Sequence, residues 1–408
     1  MQIVGGNMKK RWLYLFAATF ILLFLGLIYA WSIFKVALSE QFIQWDETQL
    51  SLTFTISMVF FVLSGFLSGR ISAFVNLRYR MLISAVVIAI GFFGASQMGN
   101  GSSENALISL YVFYGIIASG GVGMCYNSLI TTVAKFFPDK VGVASGTMLF
   151  GFGFGGLALG SAVNTAISHL GIWTSFKLLG VIIFVIILVG AFVIKQPYTS
   201  DNSSKKRTDE DVPELSPKEM LRSPSFWFFE IWGMLLNTAG LMIINSAANI
   251  SVAFGGTVAL GMIVSLFNGA GRIIAGRLFD GLGQKRTTLI VLVIMLVAGC
   301  TLYASRLIHS IIPITAGLIF VGLAYGGLPT LTSSFTNKSF GQKYFAVNFG
   351  IASFNVLPAA VIGPILSAKL MESSGGEYFS SFFAIIILAI VSVGFWVGLN
   401  RTRTKGEN

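Results

Sequence analysis

Arg272 stands deep inside a stretch of apolar residues, and the nearest carboxylates in sequence lie at the ends of such stretches. Eight residues separate it from Asp280, which marks one end of its own stretch. In a helix that is roughly 12 Å of depth, hard to reconcile with snorkelling to a surface. A guanidinium held there costs at least about 2.5–3.5 kcal/mol, so it needs a partner or a task. Its planar fork of N–H donors fits a carboxylate edge. Asn268 lies one helical turn earlier on the same face, and Gly269 and Gly271 leave room for a ligand or another helix. The competing role is structural, with the arginine capping backbone carbonyls or pairing with Glu230. Glu230 sits only about a turn inside the end of its own stretch, so the depths match poorly. The chemistry favoured is the binding of a small organic anion.

Other polar side chains fall at mid-stretch positions: Tyr29, Tyr126, Asn127, Tyr325 and Asn355. Hydroxyls and amides orient a carboxylate by hydrogen bonds, while aromatic and aliphatic walls select its size. For each tyrosine the competing role is packing, with the hydroxyl bonded to backbone. Trp31 and Phe335 read more readily as packing or interfacial aromatics. The expected binding set is therefore Arg272 and Asn268 with Tyr29, Tyr126, Asn127, Tyr325 and Asn355.

The elements that must position these groups are membrane spans. The chain has 408 residues, of which 55% are hydrophobic and only 11% charged. Its mean hydropathy is +0.81. A helix needs about 20 apolar residues to cross a hydrocarbon core. Spans are predicted over 12–34, 48–69, 79–98, 107–134, 142–164 and 173–194, then 225–250, 256–279, 286–304, 310–332, 344–370 and 376–400. Arg272 falls in the eighth, Tyr126 and Asn127 in the fourth, and Asn355 in the eleventh.

The net charge of +11 is a topology signal rather than a nucleic-acid footprint. Lys9, Lys10 and Arg11 precede the first span, and Arg70, Arg78 and Arg80 cluster between the second and third. The central polar gap, Lys338, Lys343 and the C-terminal Arg401 and Arg403 continue the series on the same side. Only Lys35, Lys177, Arg306 and Lys369 fall on the other. Excess Lys and Arg mark cytoplasmic loops, so both termini and the central gap are expected there. The first span is too long for a signal peptide and lacks a small-residue cleavage site, so it is expected to stay.

Several chemistries are disfavoured. Cys125 and Cys300 fall within spans and suggest neither a disulfide nor a metal site. His169 and His309 have no second ligand at a useful spacing. Gly151, Gly153 and Gly156 spell G-x-G-x-x-G, but inside an apolar span with no preceding strand. With Gly146, Gly155 and Gly160 they are expected to form a smooth face for helix packing. No HExxH, GxSxG or mid-span aspartate pair points to an enzyme. No metal and no cofactor is expected.

Residues 195–223 are polar, charged and poor in aromatics, and read as a mobile linker between halves 1–194 and 224–408. The halves echo one another. GRLFDGLGQKR (Gly276–Arg286) follows the second span of the later half, and GRISAFVNLRY (Gly69–Tyr79) follows that of the earlier. Paired six-helix halves are one recognised transporter plan.

GRLFDGLGQKR resembles the loop motif of the major facilitator superfamily, in which Gly, Asp and basic residues lock neighbouring cytoplasmic helix ends. Gly276, Asp280, Gly283, Lys285 and Arg286 match residue by residue. In the earlier copy Ala73 stands where the acid would be, so the resemblance implies gating that relies more on the later copy. A narrower resemblance covers almost the whole chain. LGLIYAWSIF (Leu25–Phe34), GGVGMCYN (Gly120–Asn127), KFFPDKVGVASG (Lys135–Gly146) and AGLMI (Ala239–Ile243) are similar to the oxalate/formate antiporter family. That family is a bacterial and archaeal branch related to the monocarboxylate transporters, and it moves small carboxylates.

The resemblance implies an all-α membrane protein with twelve transmembrane helices in two pseudo-symmetric six-helix bundles, the major facilitator fold. It implies a monomer in the cell membrane that carries a small carboxylate anion by alternating access. In the related monocarboxylate transporters an acid implicated in proton coupling stands four residues before the arginine. Here that residue is Asn268, which cannot titrate, so exchange or facilitated movement is the main expectation and a co-transported proton stays open. Oxalate carriers of the family pair the arginine with an eleventh-span lysine, whereas this chain has no Lys or Arg between Gly350 and Pro364. One buried cation balances one carboxylate, and a dianion would leave a charge uncompensated at a cost of several kcal/mol. A monocarboxylate of the lactate, pyruvate or formate type is therefore expected. The alternatives are an oxalate/formate-type dicarboxylate exchanger and a membrane anion sensor that does not transport.

Overall fold

Hydrocarbon offers no partner to an exposed peptide group, so a spanning chain must satisfy its backbone within each segment. The computed structural model describes residues 8–100, 103–196, 214–308 and 310–402, and nearly all of them are helical. Among these, 11 helical runs are long and apolar enough to cross a membrane. One of them, Ile263–Ile308, carries both the eighth and the ninth span and turns at Gly283, whose φ of 76° is not helical. Two crossings in that run make twelve, the number expected.

Local sequence explains the ends. The second span, Glu47–Ile71, opens on a capping box between Asp46 and Gln49, and the third, Leu77–Ala95, on the Asn76 side chain. Gly171, at φ 76°, separates Val141–Leu170 from Ile172–Val193. The seventh span, Pro224–Ile244, stops short of the expected residue 250 and is followed by short helices Ala247–Ala253 and Val258–Gly261. Gly255 at φ 81° and the Ser251 hydroxyl bonded to the Thr257 carbonyl turn the chain there, so the eighth span starts at Ile263 rather than near 256. Three spans depart from α geometry midway. The first contains a 3₁₀ turn at Gly26–Ala30, the fourth a π-helical stretch at Leu110–Ala118, and the eleventh a 3₁₀ turn at Ser353–Asn355.

The chain divides into two compact units. One comprises 1–138, 151–206 and 345–351, and the other 139–150, 207–344 and 352–408. The fifth span is thereby shared, and its glycines serve two surfaces instead of the single face expected. In the first unit Gly151 and Gly155 lie against the carbonyls of Thr19 and Leu23 on the first span. In the second, Gly142 and Gly276 each face the other's carbonyl, and a Cβ on Gly146 would stand 2.5 Å from the Arg272 carbonyl oxygen. Small residues let backbones approach this closely.

The polar stretch 195–223 was expected to be mobile throughout; residues 197–213 lie outside the described residues, but from Glu214 onward the chain is fixed. The Leu215 N–H donates to the Phe340 carbonyl at 3.1 Å, and the Lys343 N–H to Glu214 Oε2 at 2.7 Å. Ser216 then caps the helix Pro217–Arg222 in a box with Glu219. The hydroxyl and N–H of Ser216 hold the Glu219 carboxyl below its ordinary range.

Close approach of the fifth and eighth spans makes a direct prediction. Gly142→Val overpacks the contact with Gly276 and lowers the unfolding midpoint of the purified protein, by the equivalent of about 1–3 kcal/mol. Gly281→Ala, whose added Cβ meets nothing within 4 Å, leaves the midpoint in place. Equal midpoints for the two variants would contradict this packing.

Candidate functional site

Arg272 is buried, with 2% of its surface exposed. Its Nη1 donates to the Leu149 carbonyl at 2.7 Å, and its Nε to Asn268 Oδ1 at 3.3 Å. Both partners are neutral, and neither contact uses Nη2. Glu230, the acid weighed as a structural partner, does not bond to the arginine. The fifth span supplies Leu149 because Gly142 and Gly146 bring it against the eighth, and the Phe150 ring then covers Gly269, 3.1 Å from where its Cβ would be. On the other side Gly271 and Gly326 seat the tenth span, Ile311–Phe340, against the backbone of the eighth. Arg272 is thus held at its base with its cationic head balanced by dipoles alone. Such a head is suited to an anion.

The other expected residues divide between the units. Arg272, Asn268, Tyr325 and Asn355 belong to the second, and Tyr126 and Asn127 to the first. Tyr325 is buried against Gly240, on the residue before the one that meets the Asn268 carbonyl. Tyr126 lies in an aromatic cluster, with ring centroids 4.9 Å from Phe61, 4.8 Å from Phe152 and 6.2 Å from Phe349. Asn127 donates through Nδ2 to the Ala346 carbonyl at 3.2 Å, while its buried Oδ1 has no partner. Asn355 makes no hydrogen bond with Arg272 or Asn268. Its carboxamide approaches Glu230 instead. The backbone of Tyr29 belongs to the 3₁₀ turn of the first span, and its side chain lies outside the described residues.

The loop motif is built differently from the acid–base pairing expected. Asp280 accepts the N–H of Gly142 on Oδ1 at 2.8 Å and that of Val143 on Oδ2 at 2.7 Å. These are early residues of the fifth span, Val141–Leu170, so the carboxylate caps a helix N-terminus whose first N–H groups have no internal partner. Gly276 allows the contact and Gly283 ends the eighth span. Lys285 gives its carbonyl to Trp396 Nε1 at 3.3 Å. Lys338, rather than Lys285 or Arg286, is the cation acting on Asp280.

Sequence reasoning missed two groups. Arg80, read as a loop cation, is only 2% exposed; its Nε donates to the Val75 carbonyl and its Nη1 to Ser128 Oγ, both at 3.1 Å. The Asn76 cap places Arg80 in the first turn of the third span, and that cap was the available signal. The second is the setting of Glu230, weighed only as a partner for Arg272 and found buried beside Asn355, which no spacing rule could link to it.

Comparison with protein families matches residues 12–357 to the Major Facilitator Superfamily. Among characterised proteins, the oxalate:formate antiporter of Oxalobacter formigenes is 26% identical over 392 residues, covering 95% of this chain and 90% of that protein. Monocarboxylate transporter 12 of Homo sapiens is 24% identical over 200 residues, covering 47% of this chain and 37% of its own. Among solved structures, the proton:xylose symporter XylE with bound 6-bromo-6-deoxy-D-glucose aligns with a TM-score of 0.73 at 13% identity, over 97% of this chain and 98% of that one. That likeness concerns the fold.

Asp280 carries the next prediction. Asp280→Ala leaves the N–H groups of Gly142 and Val143 without their acceptor and destabilises the protein by about 1–2 kcal/mol, read as a lower unfolding midpoint. Asp280→Asn retains one acceptor and falls between alanine and the native protein. An alanine variant as stable as the native chain would remove the capping role.

Proposed function

Since the chain belongs to the Major Facilitator Superfamily, and is a multi-pass membrane transporter rather than an enzyme, we propose that it carries small organic anions, chiefly monocarboxylates, by alternating access. Arg272 binds the carboxylate, oriented by Asn268. The observation that carries this reading is the buried guanidinium whose partners are a carbonyl and an amide, not an acid. A bound anion neutralises it and lowers the cost of enclosing it in a low-dielectric interior. Tyr29, Tyr126, Asn127 and Tyr325 are proposed as further contacts that select the guest by size and hydrogen bonding. The distribution of Lys and Arg supports a cell membrane orientation with both termini cytoplasmic.

Charge counting favours one carboxylate over two. Between Gly350 and Pro364, in the eleventh span, no Lys or Arg supplies a second cation. Lactate, pyruvate and formate fit one guanidinium, and oxalate leaves one negative charge without a partner. Oxalate/formate exchange is the second reading, favoured by the similarity to the Oxalobacter formigenes antiporter.

Reconstitution tests both. Proteoliposomes loaded with unlabelled lactate should accumulate labelled lactate by counterflow, with oxalate the weaker competitor; equal competition by oxalate would favour the second reading. Arg272→Lys keeps the charge but loses the fork that reaches Leu149, Asn268 and a guest together. Its exchange rate should fall at least about tenfold. Native rates in the lysine variant would end the assignment of Arg272.

A further inference from the structure

Glu230 is the buried acid among the described residues, with 8% of its surface exposed. It lies six residues past Pro224 in the seventh span, about 9 Å along the helix from that end. Its neighbours on the helix are aromatic. Phe229 stacks on Phe335 with centroids 4.0 Å apart, and Trp232 is fully buried. One turn away Gly233 leaves the space that Asn355 occupies, since a Cβ there would stand 3.1 Å from Asn355 Nδ2. Glu230 Oε1 and both Nδ2 and Oδ1 of Asn355 make no hydrogen bond of good geometry.

The helices packed against the seventh span carry Arg272, Arg277, Asp280, Lys285, Arg286 and Arg306 on the long eighth-to-ninth run and Lys338 on the tenth. They also carry Lys218, Glu219 and Arg222 on the preceding short helix, Lys369 and Glu372 on the eleventh and Arg401 on the twelfth. Asp280 is held by the N–H groups of Gly142 and Val143. Arg272 on the eighth is engaged by Leu149 and Asn268, and Lys338 on the tenth lies over the Phe279 ring. Glu219 on the preceding short helix is taken up by Ser216. Lys369 and Arg401 lie toward the ends of the eleventh and twelfth spans. The group that faces the Glu230 carboxyl is the neutral Asn355.

An isolated carboxylate in such surroundings would be an uncompensated buried charge. A carboxylic acid is a different object. Its O–H can donate to an amide carbonyl while its own C=O accepts from the amide N–H, so acid and carboxamide are complementary. The unpartnered atoms of Glu230 and Asn355 supply that set. Asn355 also ends the 3₁₀ turn Ser353–Asn355, next to the point where the chain passes from one compact unit to the other, between Ile351 and Ala352.

We propose that Glu230 is the site at which this carrier binds and releases a proton, with Asn355 as the positioning residue that ties its protonation to the break in the eleventh span. The inference rests on the carboxylate-carrier reading and deepens it. With an anion on Arg272 and a proton on Glu230, both buried charges are neutral at once. With either guest alone, one charge remains. Anion and proton are therefore carried together, and the proton leaves the Glu230 carboxyl for water on the side where the anion is released. Asn268, one turn from Arg272, takes no part in this because it cannot titrate.

The test uses the full-length protein in proteoliposomes with labelled lactate. Counterflow at equal pH reports the carrier reading alone. Net uptake with the outside made acidic reports the coupling. In the native protein the acid gradient accelerates net uptake. In Glu230→Gln, which mimics the protonated acid, counterflow persists while gradient-driven uptake falls about tenfold or more. A glutamine variant that still responds fully to the gradient, or a native protein that exchanges but ignores it, would overturn the proposal. Infrared spectra of the purified proteins decide independently of transport, including the case where no acid exchanges. A protonated-carboxyl C=O band at neutral pH that is missing in Glu230→Gln and shifted in Asn355→Leu supports the site. Spectra identical to the native protein overturn it.

Discussion

A cation in hydrocarbon must be answered by something, and in this chain the answer is a set of dipoles. Arg272 leans on the Leu149 carbonyl and the Asn268 amide. A carbonyl stabilises a guanidinium without cancelling its charge, so the group remains attractive to an anion in a way an ion pair would not. For Leu149 to serve, the fifth span must run close beside the eighth. That requirement is met by Gly142, Gly146, Gly269 and Gly276, which set two backbones and a phenylalanine ring into contact. Helix packing and site chemistry are here the same constraint.

The acids follow the same pattern. Asp280 is answered by two backbone N–H groups at the start of the fifth span, and Glu230 by a carboxamide. Arg80 rests on a carbonyl and a hydroxyl. Ionisable groups that do not pair with one another stay separately addressable.

Much of this was legible from residue types alone. Spans of the right length, the Gly-Arg repeat and the lone mid-span arginine follow from composition and spacing, because hydrocarbon thickness and the penalty for a buried charge act on every sequence alike. Departures arise where partners come from distant parts of the chain. The Leu149 carbonyl is 123 residues from Arg272 and carries no sequence mark, since every residue has a carbonyl. Asp280 invited pairing with a neighbouring base but found helix N–H groups at Gly142 and Val143. Asn355 was grouped with Arg272 by mid-span position, and its approach to Glu230, 125 residues earlier in the chain, has no mark in the sequence. The late start of the eighth span was written in Gly255, whose positive φ turns the chain before Ile263.

The π-helical stretch Leu110–Ala118 has a consequence for how the fourth span tolerates change. In an ordinary α-helix one inserted residue swings everything beyond it by about 100°. A wide turn stores the surplus residue locally. Losing one residue from this stretch can tighten a loop of backbone while Tyr126 and Asn127 keep their bearing. Losing one from Ser119 to Cys125 has no such reservoir and would rotate both away from Phe152 and Ala346. The slack in this helix lies upstream of Tyr126 and Asn127.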